Sequence, residues 1–292
     1  MTPNKELSAL TQEDIAAAKA AIPRAFSASR PERLGRTLAW LLFFGLVGWC
    51  LYDFNFSPLR ILEGLSRLGT IISFMFPPHI WQSWEAFSEV LKGLGETVAM
   101  AFMGTLLGAV VAFPLSFLGA KNILKLNILR LGMRRTFDVL RAVEQLILAL
   151  IFIRAFGLGP LAGVLAIAVS EVGTMSKLFS EAIENTSEKP VEGVKSSGGS
   201  RLQTIRFGTI PQAMPVVLSI ILYNFESNTR SGTILGIVGA GGIGFLLADR
   251  IAAYRWDEAW SIIFLIIATV YVIDAISAWL RMKIIGRWEM TR

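Results

Sequence analysis

Six stretches of mainly apolar residues constrain this chain before anything else does. They run roughly over Thr37–Phe54, Thr97–Leu118, Phe137–Phe156, Leu161–Phe179, Ala213–Val238 and Ala259–Leu280. A helix of about 20 apolar residues crosses about 30 Å of hydrocarbon. Inside lipid the backbone must satisfy its own N–H and C=O groups, which selects helices. The 292 residues are 53% hydrophobic and 17% charged, with mean hydropathy +0.56, too apolar to solvate a soluble surface. The expectation is an all-α integral membrane protein with about six transmembrane helices. Cysteine occurs once, at Cys50, and histidine once, at His79 after Pro77-Pro78, so neither a disulfide nor a metal cluster is expected. The net charge of +6 lies between the apolar spans and not on one amphipathic face, which argues against nucleic acid. The first 36 residues are polar and the first apolar run has no small-residue exit site, so that run is expected to stay as an anchor.

Lysine and arginine set the orientation. An even number of spans puts both termini on one side, together with Arg24, Arg30, Arg33, Arg36, Lys121, Lys125, Arg130, Arg134, Arg135, Lys189, Lys195, Arg201 and Arg206. Arg281, Lys283, Arg287 and Arg292 close the chain on that same side, whereas the other carries chiefly Arg60, Arg67, Lys92, Arg250 and Arg255. Both termini and the polar segment 181–211 are therefore expected in the cytoplasm. Thr11 and Asp14 suggest a capped surface helix through Ile22. Between the first two spans, Ile61–Phe76 is apolar but broken by Glu63 and Arg67, and reads as a helix at the outer interface with Trp81 and Trp84 at headgroup level.

The segment 181–211 is too ordered in its signals for a solvated linker. Pro190 suits a helix start, Val191, Val194 and Lys195 share a face, and Gly198-Gly199 permits a tight turn. Ser200 caps a second short helix through Arg206, which Pro211 is expected to end. Glu192-Gly193-Val194, then Gly198, then Ile210-Pro211 reproduce the spacing of E-A-A-x-x-x-G-x9-I-x-L-P. That spacing resembles the loop by which permease subunits of bacterial ABC importers grip their ATPase. Gly193 and Val194 replace the two alanines and Gly208 the usual isoleucine; Glu181-Ala182-Ile183 is closer by letter but is followed at the glycine position by Ser187. The resemblance implies that Glu192, Gly193, Val194, Lys195, Gly198 and Pro211 couple this chain to a separate ATPase.

Gly239-Ala240-Gly241-Gly242-Ile243-Gly244 satisfies G-x-G-x-x-G after the strand-like Thr233–Val238, with Asp257 and Glu258 near the distance of a ribose ligand. A dinucleotide site needs a βαβ unit in a soluble α/β domain, and membrane spans flank this motif. The structural reading is preferred: Gly239, Gly241, Gly242 and Gly244 let backbones approach closely near a span's outer end. Together with Phe225–Arg230, Thr233–Gly236, Leu140-Arg141-Ala142-Val143-Glu144 and Phe156–Pro160, the motif resembles the phosphonate importer permease family, over most of residues 95–280. The resemblance implies a binding-protein-dependent type I importer subunit, with a MetI-like core preceded by one extra helix. It also implies a second copy, two ATPase subunits and a periplasmic binding protein as partners.

Glu226 and Arg230 lie four residues apart on one face of the fifth span. Charges at bilayer depth cost at least about 2.5–3.5 kcal/mol, so they pair or line a polar cavity. The planar fork of Arg230 suits an oxyanion path; Asn228 and Glu144 join it as candidate path residues, with Arg141 and Glu171 as further polar positions. Mere mutual neutralisation of Glu226 and Arg230 is the alternative. The expected organisation is a cytoplasmic segment 1–36, a first span 37–54, an outer segment 55–93, a core 94–280 and a tail 281–292. The expected function is translocation of phosphonate or a related phosphorus oxyanion. Phosphite, phosphate or an amino acid are alternatives, and an integral-membrane enzyme using Glu226, Glu144 and Arg230 is a remoter one. The absence of G-x-x-x-x-G-K-[ST] leaves ATP and magnesium to the partner ATPase, with no cofactor in this chain.

Overall fold

The computed structural model describes residues 30–289 together with Ala16 and Ala20, and side chains over 34–283. The helix expected over Thr11–Ile22 lies outside the described residues apart from those two alanines. Contacts divide the chain into two units, Met1–Thr70 and Ile71–Arg292. In the first, α1 (Arg30–Asp53) carries an apolar stretch of 20 residues, Leu34–Asp53, none of it buried. Asn55, at φ 50°, turns the chain into α2 (Pro58–Phe74), whose first residue is a proline that needs no donor. With 17 residues and no buried side chain, α2 suits the interfacial reading, and the unit boundary falls in its last turn.

The second unit is built around α6 (Pro160–Glu184), which packs along α3 (Trp84–Gly119). Small residues make the approach close: a Cβ on Gly104 would meet the Ile167 side chain at 2.6 Å, and one on Gly108 would meet Glu171 Cβ at 2.6 Å. Helices in lipid gain little from burying apolar surface, so such small-residue contacts carry their association. Ser83 caps α3, accepting from the Ala86 N–H at 3.3 Å, which starts this helix well before the expected Thr97. Pro114 sits inside it.

The remaining elements are α4 (Asn127–Ala142), α5 (Gln145–Phe156), α7 (Glu188–Ser196), α8 (Ile210–Leu235), α9 (Gly242–Ala252) and α10 (Trp256–Glu289). Among the described residues five helices are long and apolar enough to cross a membrane. The third expected span, Phe137–Phe156, is not one helix. Val143 (ψ 118°) and Glu144 (ψ 138°) are extended, and they separate α4 from the 12-residue α5. The strand expected over Thr233–Val238 is helical, and no strand occurs among the described residues, which removes the βαβ context of a dinucleotide site.

Candidate functional site

The 181–211 segment folds as two short helical pieces. α7 ends in a Schellman arrangement: the Gly198 N–H donates to Lys195 O at 3.0 Å and the Gly199 N–H to Val194 O at 3.0 Å. Gly198 takes φ +79° to make it, so the glycine is required by backbone geometry. Ser200 then forms a full capping box with Gln203. The second piece does not stop at Pro211. It runs through a π-helical stretch, Thr204–Thr209, straight into α8, giving a 40-residue helical run Arg201–Ala240 that is kinked at Gly239. The π turn shifts donors to the fifth preceding carbonyl, as in Ile210 N–H to Ile205 O, and Pro211 follows in the first turn of α8 without needing a donor.

This knob is tied down at its base. The Gln212 side chain accepts from the Ser187 N–H at 3.0 Å and donates to Ser187 O and Gly208 O at 3.1 and 2.6 Å. Glu184 accepts from the Lys121 N–H at 2.6 Å and from Arg134 at 2.7 Å, and the Arg201 guanidinium donates to Ile123 O. Gly208, where the importer pattern has isoleucine, lets Val191 of α7 come within 3.0 Å of where a Cβ would stand. Val191 and Val194 are thus half-buried against the chain itself, while Glu192, Gly193, Lys195 and Gly198 stay exposed. Spacing alone had no access to Gln212, Glu184 or Arg134.

The glycine motif closes the turn between α8 and α9. Gly239, Gly241 and Gly242 all have positive φ, and a Cβ on Gly244 would run into the Thr233 carbonyl. The Ile243 N–H donates to Thr97 Oγ1 at 2.9 Å and the Gly159 N–H to Gly239 O at 3.1 Å. The motif is a packing turn.

Midway along the helices a buried polar hub gathers on Asn228, which is 2% exposed. Its amide donates to Glu171 Oε1 at 2.8 Å and to Thr105 Oγ1 at 3.0 Å, while its carbonyl accepts from Gln145 Nε2 at 2.9 Å. Four helices, α3, α5, α6 and α8, meet there. The other Glu171 oxygen is buried without a partner. Glu226 and Arg230, the pair expected on α8, belong to a larger chain of charges. Arg230 reaches Glu226 at 3.6 Å and Asp274 at 3.5 Å, and Arg281 holds Glu226 at 3.2 Å. Two cations and two anions alternate between α8 and α10. Glu144 joins neither group; it is exposed at the α4–α5 break.

Residues 104–287 match the family model described as binding-protein-dependent transport system inner membrane component. HtxC of Stutzerimonas stutzeri is 36% identical over 257 residues, covering 88% of this chain and 89% of that protein. The phosphite transport system permease protein PtxC of the same organism is 33% identical, covering 80% and 83%. The phosphate-import permease protein PhnE of Mycolicibacterium smegmatis is 35% identical over 82% of this chain, which spans 45% of that longer protein. An inward-facing structure of the MetNI methionine ABC transporter shares the fold at TM-score 0.61 and 19% identity, over 70% of this chain and 99% of that one. The chain belongs to the family of binding-protein-dependent transport system inner membrane components. It is a permease subunit of an ABC importer, with the MetI-like helical fold.

Proposed function

We propose that this permease translocates a phosphorus oxyanion, phosphonate, phosphite or phosphate, into the cytoplasm, without catalysing a reaction itself. The observation that carries the cargo class is the similarity, over four-fifths of the chain or more, to permeases named for phosphite and phosphate. Two copies of the chain form the path, two ATPase subunits bind ATP and magnesium, and a periplasmic binding protein delivers the cargo. Glu192, Gly193, Lys195 and Gly198 form the exposed docking surface for the ATPase; Val194 and Pro211 support it from within. Glu226, Arg230 and Glu144 border the path, and Asn228 stands behind them as a brace. The glycine motif Gly239–Gly244 fixes the outer turn. Both termini and the knob face the cytoplasm, with residues 94–280 as the core and 37–54 as the added anchor.

Proteoliposomes holding the complex with its ATPase and binding protein provide the test. ATP-dependent accumulation of labelled phosphite, methylphosphonate or phosphate is expected. Accumulation of methionine or histidine, with none of those three taken up, would replace the cargo class. Orientation is read separately in spheroplasts, in a Cys50→Ser background. Cysteines at Ser196 and Lys125 should resist an impermeant thiol reagent and one at Gln82 should react; the reverse pattern would invert the topology.

A further inference from the structure

The break between α4 and α5 lies at mid-depth of the helical core. Gly173, against which it is seated, is 13 residues from the start of the 25-residue α6. A Cβ on Gly173 would meet the Arg141 backbone nitrogen and Leu140 Cβ at 2.7 Å, so the last turn of α4 rests directly on the middle of α6. On the other side of the break, Gln145 is bound to Asn228. The break is therefore held about 18 Å from either end of α6. Its residues are not covered: Arg141, Ala142 and Glu144 are exposed and Val143 is half-buried.

Unwound backbone and two charged side chains at that depth do not face hydrocarbon; such features persist where they line water or are buried in protein. Arg141 has no ion pair within 4.0 Å among the described residues; of the two acids three residues away, Asp138 is engaged by Lys177 at 2.6 Å and feels Arg141 only at longer range, and Glu144 lies across the break. Arg230, the arginine that sequence spacing favours for an anion, is already shared between Glu226 and Asp274. Those two carboxylates offset the charge of Arg230, whereas no carboxylate stands within 4.0 Å of Arg141 among the described residues, and its exposed planar fork can be offered to an oxyanion. On α4, Arg141 lies about 160° around the helix from the exposed apolar Val139, so the two side chains leave opposite sides of the helix.

We propose that the α4–α5 break lines the aqueous path and that Arg141 is the residue that receives the oxyanion there. The Gln145–Asn228–Glu171 chain is the positioning device that holds the break in place. Arg141 attracts the anion as it leaves the binding protein's side, and its exposure lets the cargo move on, as transport requires. This rests on the cargo reading above.

The experiment uses the full complex in proteoliposomes, in a Cys50→Ser background. Wild-type uptake of a phosphorus oxyanion is the control for the cargo reading; if it is absent, that reading fails and not the site. With wild-type uptake present, Arg141→Cys should lower uptake about tenfold or more, the scale of a lost charge-assisted hydrogen bond. Restoring a positive charge with trimethylammonioethyl methanethiosulfonate should recover part of it, and the sulfonatoethyl reagent should not. Uptake by Arg141→Cys equal to wild type, or equal rescue by both reagents, overturns the role of Arg141. Should that variant fail to assemble, Glu144→Cys, in the break itself, decides whether the break is wet. Reaction with both water-soluble reagents, while Val139→Cys stays inert, supports the path. An inert Glu144→Cys overturns it.

Discussion

Gly198→Pro is expected to reduce ATP-driven uptake at least about tenfold, either by releasing the ATPase or by leaving it hydrolysing ATP without transport. The residue sits at φ +79°, and proline is fixed near −65° and has no N–H for Lys195 O. The Schellman end of α7 then cannot form, a local penalty on the order of 3 kcal/mol. Because the second piece of the knob is continuous with α8, a misplaced α7 loses its hold on the helix that carries Glu226, Asn228 and Arg230. Gly198→Ala should be far milder, since a left-handed alanine costs roughly 1–2 kcal/mol. Co-purification of the ATPase together with paired hydrolysis and uptake measurements checks this. Normal assembly and normal uptake in the proline variant would reduce the segment to a linker.

Much of this architecture is legible from residue order, and the exceptions share a cause. Apolar length exposes the spans because lipid demands it. The knob is legible because its signals are local: Ser200 three residues before Gln203, and a glycine where the chain needs positive φ. The α4–α5 break has no such mark. Ala142, Val143 and Glu144 include neither proline nor glycine, and what holds them open is Gly173 and Asn228, distant in sequence. Pro211 misleads for the opposite reason: its usual meaning as a helix stop is cancelled by the π turn before it. Glu226 and Arg230 are visible as a pair at a spacing of four, but Asp274 and Arg281 lie 44 and 55 residues from their partners. The close α3–α6 contact did leave a trace, the four-residue spacing of Gly104, Gly108, Ala112 and Ser116, which apolar windows do not register.

Asn228 tests whether the polar hub holds the helices together. Asn228→Ala removes both donors to Glu171 and Thr105 and the acceptor for Gln145, and leaves a cavity where four helices meet. Glu171 is 4% exposed and has one oxygen without a partner already; the variant strands the second. A loss of roughly 2–4 kcal/mol is expected from the orphaned groups and the void together. Gln145 is only half-buried and turns to solvent, and the Thr105 hydroxyl keeps its bond to Ala101 O at 2.7 Å. The remaining penalty therefore falls on Glu171. Pairing Asn228→Leu with Glu171→Met should recover most of the stability, because two matched apolar side chains leave no buried polar group unsatisfied. Uptake should stay low in that pair even so, since nothing then ties Gln145 and the α4–α5 break to α8. Thermal unfolding of the detergent-solubilised complex, set beside uptake, separates the two effects. Wild-type stability in Asn228→Ala would mean that the helices are held by their small-residue contacts alone.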